Sequence, residues 1–325
     1  MPVTFIKAAG DGPVQRAASR MEPRLRAAFL NAVSAMRGTI SEDALAKALA
    51  TGDVDQVLAV LALDTRLVKF LNDGTDKVES LRAALQATAM EGAAAAIRAL
   101  PSSVSLNLSF DLKSLEAQSF LESYAFPLIR QLTDNTREGI RQVILDTFKN
   151  GGHPYEQART IKTFIGLTQN QSAAVANYRA ALSSASTLGQ SLNRSLRDGR
   201  FDGTVQRAVR NNTGLSADQI DRMTTRYSER YLKYRAEAIA RTESIRASNM
   251  GQRATWKQAV KQGLLPKDQE REWEVSGDDI TCPECLALDG VRVGLNEEFA
   301  PGIMAPPDPH TTCRCSEKLV FARAA

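Results

Sequence analysis

The sequence predicts a mainly α protein. It reads as an N-terminal and central helical region with a lone β-strand segment near residues 104–112. A small C-terminal α+β module with a Cys/His cluster follows. Three observations carry this. Aromatic residues make up only 6% of the 325 residues, while Ala and Leu are common. Apolar residues recur at helical spacing over most of the chain. All four cysteines fall between positions 282 and 315.

The elements follow in order. Leu25, Ala28, Phe29, Ala32, Val33 and Met36 form one helical stripe. Ser41 and Asp53 are expected N-caps, with Thr51-Gly52 breaking the chain between two helices. The period then changes. Val104, Leu106, Leu108, Phe110 and Leu112 alternate with polar residues, which predicts a strand over 104–112 that pairs within the chain or with a partner. Helix resumes from Leu115. Ile140, Val143, Ile144 and Thr147 form a stripe that Asn150-Gly151-Gly152 ends, and Pro154 opens the next helix. Thr168 with Gln171, and Ser216 with Gln219, have the spacing of capping boxes.

The second box opens a long helix. Ile220, Met223, Tyr227, Tyr231, Tyr234 and Ala238 form an apolar-aromatic stripe, expected to pack in the core. Arg222, Arg226, Arg230 and Lys233 form a separate basic stripe. The favoured reading of that stripe is a solvated face with local ion pairs to Glu229 and Glu237. The alternative is weak, non-specific nucleic-acid contact. Trp256 lies near the end of this run, which Gly263 and Pro266 close. Short strands are then expected at Glu272–Val275, Val291–Val293 and Lys318–Phe321. The expected organisation is an N-terminal helical region over 1–119, a central helical domain over 120–263 and the Cys/His module over 264–325.

Composition bounds the function classes. The 43% hydrophobic content suffices for a core, and 24% charged residues is ordinary. The longest clean apolar run, Val57–Leu63, is far short of the roughly 18 residues of a membrane span. Met1–Lys7 has no extended apolar stretch after a basic start, which argues against a secretory signal. The net charge of +4 is uneven, since residues 120–250 carry 19 basic and 12 acidic side chains. A basic middle suits nucleic acid or an acidic partner, although helical surfaces are often Arg-rich.

The C-terminal module gathers the chemistry. Cys282-Pro283-Glu284-Cys285 is followed by Cys313-Arg314-Cys315, and His310, one of only two histidines, precedes Cys313 by three residues. A C-x-x-C turn aims two thiolates at one tetrahedral ion, and a second pair closes the site. Structural zinc is the preferred reading, held by Cys282, Cys285, Cys315 and one of Cys313 or His310. Disulfides in an oxidising setting, or free thiols packed as small hydrophobes, are the competing readings. No enzymatic reading does as well. No βαβ pattern surrounds the C-x-x-C, no third residue completes a Cys–His hydrolase, and phosphate-binding glycine motifs are absent from the sequence.

Several runs together carry a resemblance. They are Ile239-Ala240-Arg241-Thr242-Glu243 with Asn249, Gly251 and Trp256; Asp279-Ile280-Thr281-Cys282-Pro283-Glu284-Cys285; Leu288-Asp289-Gly290; and Pro306-Pro307, His310 and Cys313-Arg314-Cys315. In this order they resemble the phage Mu protein F-like family of minor head, or head-morphogenesis, proteins of tailed bacteriophages. Gly166-Leu167-Thr168 is similar too, so the resemblance covers roughly residues 120–321. It implies a non-enzymatic virion protein that joins the head near the portal vertex during assembly in the host bacterial cytoplasm. It implies contacts with portal protein and with major capsid protein or scaffold, and it leaves room for ejection with DNA. The alternative is a zinc-containing nucleic-acid-binding packaging or ejection factor.

Overall fold

The computed structural model describes residues 12–73, 79–108, 134–145, 148, 153–276 and 281–321. The helices are α1 (Pro13–Thr39), α2 (Glu42–Ala50), α3 (Val54–Leu61), α4 (Leu63–Asp73), α5 (Leu81–Ala99), α6 (Ser102–Ser105), α7 (residues 134–145), α8 (Pro154–Phe164), α9 (Gln169–Ser183), α10 (Asp202–Arg210), α11 (Ala217–Lys261) and α12 (Pro283–Leu288). Two short 3-10 helices, Leu188–Asn193 and Gly199–Phe201, and strands β1 (Glu270–Glu274), β2 (Arg292–Gly294) and β3 (Ser316–Leu319) complete the described elements. Among the described residues no helix is long and apolar enough to cross a membrane.

The chain divides into two compact units that are discontinuous in sequence. One unit takes its described residues from Met1–Ala28, Glu79–Ala125 and Glu237–Ala325, and the other from Phe29–Val78 and Phe126–Ala236. This cuts across the three consecutive stretches 1–119, 120–263 and 264–325 read from the sequence. The boundaries fall inside helices α1 and α11, so each contributes residues to both units.

The unit of Phe29–Val78 and Phe126–Ala236 is helical. Phe29, Val33, Met36, Leu45, Leu61, Ile140, Ile144, Ile161, Phe164, Val175 and Tyr227 are buried in it. Its helix starts follow their sequence signals. The Ser41 hydroxyl accepts from Ala44 N at 3.2 Å, and Thr168 and Gln171 form a reciprocal capping box. The Asp53 carboxylate accepts from Asp55 N at 2.8 Å and Gln56 N at 3.3 Å. Asp53→Ala is therefore expected to cost about 1 kcal/mol, read as a lower urea midpoint with unchanged slope. The last carbonyls of α8 are capped by side chains. Arg37 donates to Thr163 O and Ile165 O at 2.8 and 2.7 Å, and Ser228 donates to Thr163 O at 2.6 Å. Thr147 and Asn150-Gly151-Gly152 lie outside the described residues.

In the other unit, β1 is the centre of an antiparallel sheet of order β2-β1-β3. The three strands expected near Glu272, Val291 and Lys318 are present, each with shifted ends. Side-chain alternation sorts the faces of β1. Glu272 lies opposite Arg292 on β2 and Lys318 on β3, and pairs with them at 2.8 and 3.0 Å. Arg271 and Trp273 point inward and are fully buried. Arg271 pairs with buried Glu317, and its guanidinium lies 4.3 Å from the centre of the Phe299 ring.

Two expectations need correction. Over its described part, 104–108, the lone strand is the end of α6 followed by a turn, and residues 109–112 lie outside the described residues. Val104 and Leu108 are buried in a cluster with Leu100, Trp256, Ala259, Leu265 and Leu295, whereas Leu106 is 84% exposed. A spacing of four residues serves a short helix and its following turn as well as one strand face, and here Val104 in α6 and Leu108 after the turn are the buried anchors. The tyrosine stripe also diverges. Met223 and Tyr227 are buried, Tyr231 is half-buried and Tyr234 is 60% exposed. From there the buried face of α11 passes through Leu232, Ala236 and Ala240, continuing at the helical period.

Candidate metal centre

The five candidate ligands come together. Cys282 is the N-cap of α12, and its sulfur accepts from Cys285 N at 3.3 Å. Pro283 occupies the first helical position, where its missing N–H costs nothing. One tight turn thus turns the sulfurs of Cys282 and Cys285 to the same side. Trp273, Leu288 and Phe299 pack against buried Cys285, Cys313 and Cys315 as one small cluster.

His310 faces the first cysteine pair. Its Nδ1 lies 2.8 Å from Thr311 O, an atom that can only accept, so Nδ1 carries the proton. Nε2 then presents its lone pair, 3.0 Å from Cys282 Sγ and 3.2 Å from Cys285 Sγ. A ring fixed through its second nitrogen is the usual arrangement of a ligating histidine. Cys313 Sγ lies 3.6 Å from Cys285 Sγ and accepts from Cys315 N at 3.4 Å.

The donors form two groups of three, Cys282–Cys285–His310 and Cys285–Cys313–Cys315, with the ligand atoms of each group within 4.8 Å of one another. Cys285 is common to both. Metal–sulfur bonds of about 2.3 Å place tetrahedral sulfurs about 3.8 Å apart, so the 3.6 Å between Cys285 and Cys313 suits one ion. The cluster can hold a metal ion. His310 and Cys313 both lie beside Cys285, with Nε2 at 3.2 Å and Sγ at 3.6 Å from its sulfur.

The electrostatics favour an ion. Burial pushes the Cys285 thiol up, with the charge of Cys315 adding to it. Cys313 is raised too, chiefly because it gives its hydrogen bond to Cys315. Cys315 is drawn down to about 7, chiefly by that same bond. A divalent ion would act against the upward shifts at Cys285 and Cys313, because it stabilises several thiolates together.

Helix α11 holds the loop that carries His310, Cys313 and Cys315. Thr242 Oγ1 accepts from Thr312 N at 2.9 Å. Arg246 pairs with Asp308 at 2.9 Å, and the Asp308 carboxylate also accepts from Met304 N and Ala305 N at 3.1 and 3.0 Å. Asn249 Nδ2 donates to Pro306 O at 3.3 Å, and Gln252 Nε2 to Glu317 O at 2.9 Å. Sequence reasoning quoted Thr242 and Asn249 but gave them no task. The available signal was polar residues at helical spacing in a helix otherwise rich in buried positions. Glu243 of the same helix is buried, and desolvation pushes its carboxyl up to about 7 against the opposing charge of Arg246.

The basic stripe lies apart in sequence, in the α11 segment of the other unit. Arg222 pairs with Asp218, Arg226 with Glu229 at 2.7 Å and Arg230 with Asp198 at 3.5 Å. Glu237, expected to serve this stripe, pairs instead with Arg26 at 3.2 Å. Lys233 is exposed. Asp279 and its neighbours 277–280 lie outside the described residues.

Residues 192–317 match the model of a family described as Phage Mu protein F like protein. That stretch is similar to the phage Mu protein F-like family. It contains α10, α11, β1, α12, β2, the first half of β3 and all five donors. The match starts later than the resemblance read from residue 120, so Gly166-Leu167-Thr168 falls outside it. No curated protein and no solved structure matches the chain.

Proposed function

We propose that the chain is a structural minor head protein of a tailed bacteriophage, without catalytic activity, acting in head morphogenesis at the portal vertex. One observation carries this reading. The phage Mu F-like stretch includes both the donor cluster and the polar face of α11 that holds its loop, so the matched sequence and the built feature coincide. In this reading the cluster binds structural zinc, which suits four sulfurs, or three sulfurs with one imidazole. The ion staples a small sheet module to its own loops, and portal protein with capsid or scaffold protein supplies the partners. Mass spectrometry of purified particles before and after DNA release tests it. The protein is expected at low copy in intact heads, and its loss from emptied heads would add ejection to its role. Its absence from intact heads would refute the proposal.

The nucleic-acid reading has less support. Three of the four stripe residues already face carboxylates, which cancels most of the field a phosphate backbone would feel. Arg222→Glu with Arg226→Glu is therefore expected to leave retention on duplex DNA unchanged at low salt. Weaker retention with a flatter salt dependence would restore the DNA-binding alternative.

A further inference from the structure

Thr312 sits between the two halves of the donor loop, two residues after His310 and one before Cys313. Its φ is 63°, in the left-handed region, although it is neither glycine nor asparagine. A β-branched residue is strained there, because its Cβ and γ atoms crowd the backbone. Such a conformation persists only where the surroundings hold it, and it gathers at functional sites. The turn at Thr311-Thr312 lies between His310, whose Nε2 is 3.2 Å from Cys285 Sγ, and Cys313, whose Sγ is 3.6 Å from it.

The holding contact is specific. Thr242 Oγ1 donates its proton to Ala238 O at 2.8 Å, one turn back along α11. That fixes the hydroxyl and leaves a lone pair directed outward, which accepts from Thr312 N at 2.9 Å. Thr242 is buried, so water does not readily replace this acceptor. The rest of the loop is anchored to the same helix face by Arg246 at Asp308 and Asn249 at Pro306 O. Of these contacts, only that of Thr242 falls between the histidine and the cysteines.

We propose that Thr242 is a positioning residue for the metal centre: its hydroxyl holds the left-handed turn at Thr312 and so aligns His310 and Cys313 with Cys285. This inference rests on the metal reading of the cluster and adds a residue outside the donor set. Outer partners that orient metal ligands change affinity by about 10- to 100-fold when removed.

The test uses the full chain, reduced and stripped of metal, titrated with Co²⁺ and then with Zn²⁺ against a chelator. Wild type is expected to show the charge-transfer and ligand-field bands of a tetrahedral thiolate site. Thr242→Val keeps the shape but lacks the acceptor, and is expected to bind about 10- to 100-fold more weakly with altered bands. Thr242→Ser restores the acceptor and should bind like wild type. Thr242→Val combined with Thr312→Gly, where glycine removes the strain, should recover much of the lost affinity. Wild-type affinity in folded Thr242→Val would overturn the proposal. So would an equal loss in Thr242→Ser, since packing would then be the cause, or a double variant no tighter than the single one. Absence of Co²⁺ bands in wild type would instead overturn the metal reading itself.

Discussion

Cys285→Ser is expected to abolish stoichiometric metal binding and unfold the C-terminal sheet module, and to do so more completely than any other single donor substitution. The reason is connectivity. Cys282→Ser leaves the group Cys285–Cys313–Cys315 intact, and Cys313→Ser leaves Cys282–Cys285–His310. Cys285→Ser breaks both groups. The small module is expected to depend on those ligands, because the buried apolar side chains in its cluster besides the cysteines are Trp273, Leu288 and Phe299, with Val275, Val291, Val293, Ala300 and Ile303 partly buried around them. Structural zinc contributes on the order of 10 kcal/mol or more of apparent binding energy in small modules, comparable with the whole stability of a domain. Elemental analysis should fall from about one zinc per chain to nearly none. Hydrogen exchange should lose protection over residues 281–319 while α8 and α9 keep theirs. A strong chelator added to wild type should reproduce the same pattern. A full complement of metal in Cys285→Ser, or protection unchanged when metal is removed, would show that the thiols pack without an ion.

How much of this was legible in the sequence depends on the range of the interaction. The stripe Leu25, Ala28, Phe29, Ala32, Val33 and Met36 is buried at every position, because helical periodicity is a local signal that tertiary packing reinforced. The caps at Ser41, Asp53 and Thr168 were legible for the same reason. The donor cluster could be found because two short spacings carry most of its geometry. The segment from Val104 misled, because alternate apolar residues also contain pairs four apart, and only Trp256, Ala259 and Leu265 decide which pattern is used. Those partners lie some 150 residues away in sequence, and no local pattern records them. The same holds for the role of Thr242, whose hydrogen-bond partner is Thr312. The sharing of Cys285 between two donor groups was hidden for a different reason. Spacing gives which residues can meet, but not the order of distances once they do.

Gly251→Ala and Gly92→Ala are each expected to destabilise the protein by about 3 kcal/mol, against the direction that helix propensity alone demands. Alanine in an open helix interior is better than glycine by about 1 kcal/mol. Here the added Cβ has no room. At Gly251 of α11 it would overlap the backbone carbonyl of Ala89 on α5, and at Gly92 of α5 the backbone of Ser248 on α11. The two glycines therefore face each other's helix across one close crossing. Ala84, Thr88, Ala89, Ala93 and Ala96 line the α5 side, and Ser244, Ser248 and Thr255 the α11 side, all buried. Small residues let the backbones approach, and the obstructing atoms are main chain, which cannot rotate away as a flexible side chain would. Relief requires the helices to separate, which opens gaps along the whole seam and loses dispersion contacts over several turns. That cost exceeds the propensity gain. Gly38→Ala is the matched control, since a Cβ there meets nothing within 4 Å and φ is not positive. It should be neutral or stabilising by up to about 1 kcal/mol. Thermal melts should therefore move in opposite directions, down by roughly 5–10 °C for Gly251→Ala and Gly92→Ala and level or upward for Gly38→Ala. The double variant should cost less than the sum of the singles, because one separation of α5 from α11 accommodates both methyl groups. Full additivity would mean that each methyl group is accommodated locally and that the crossing is not a single rigid contact.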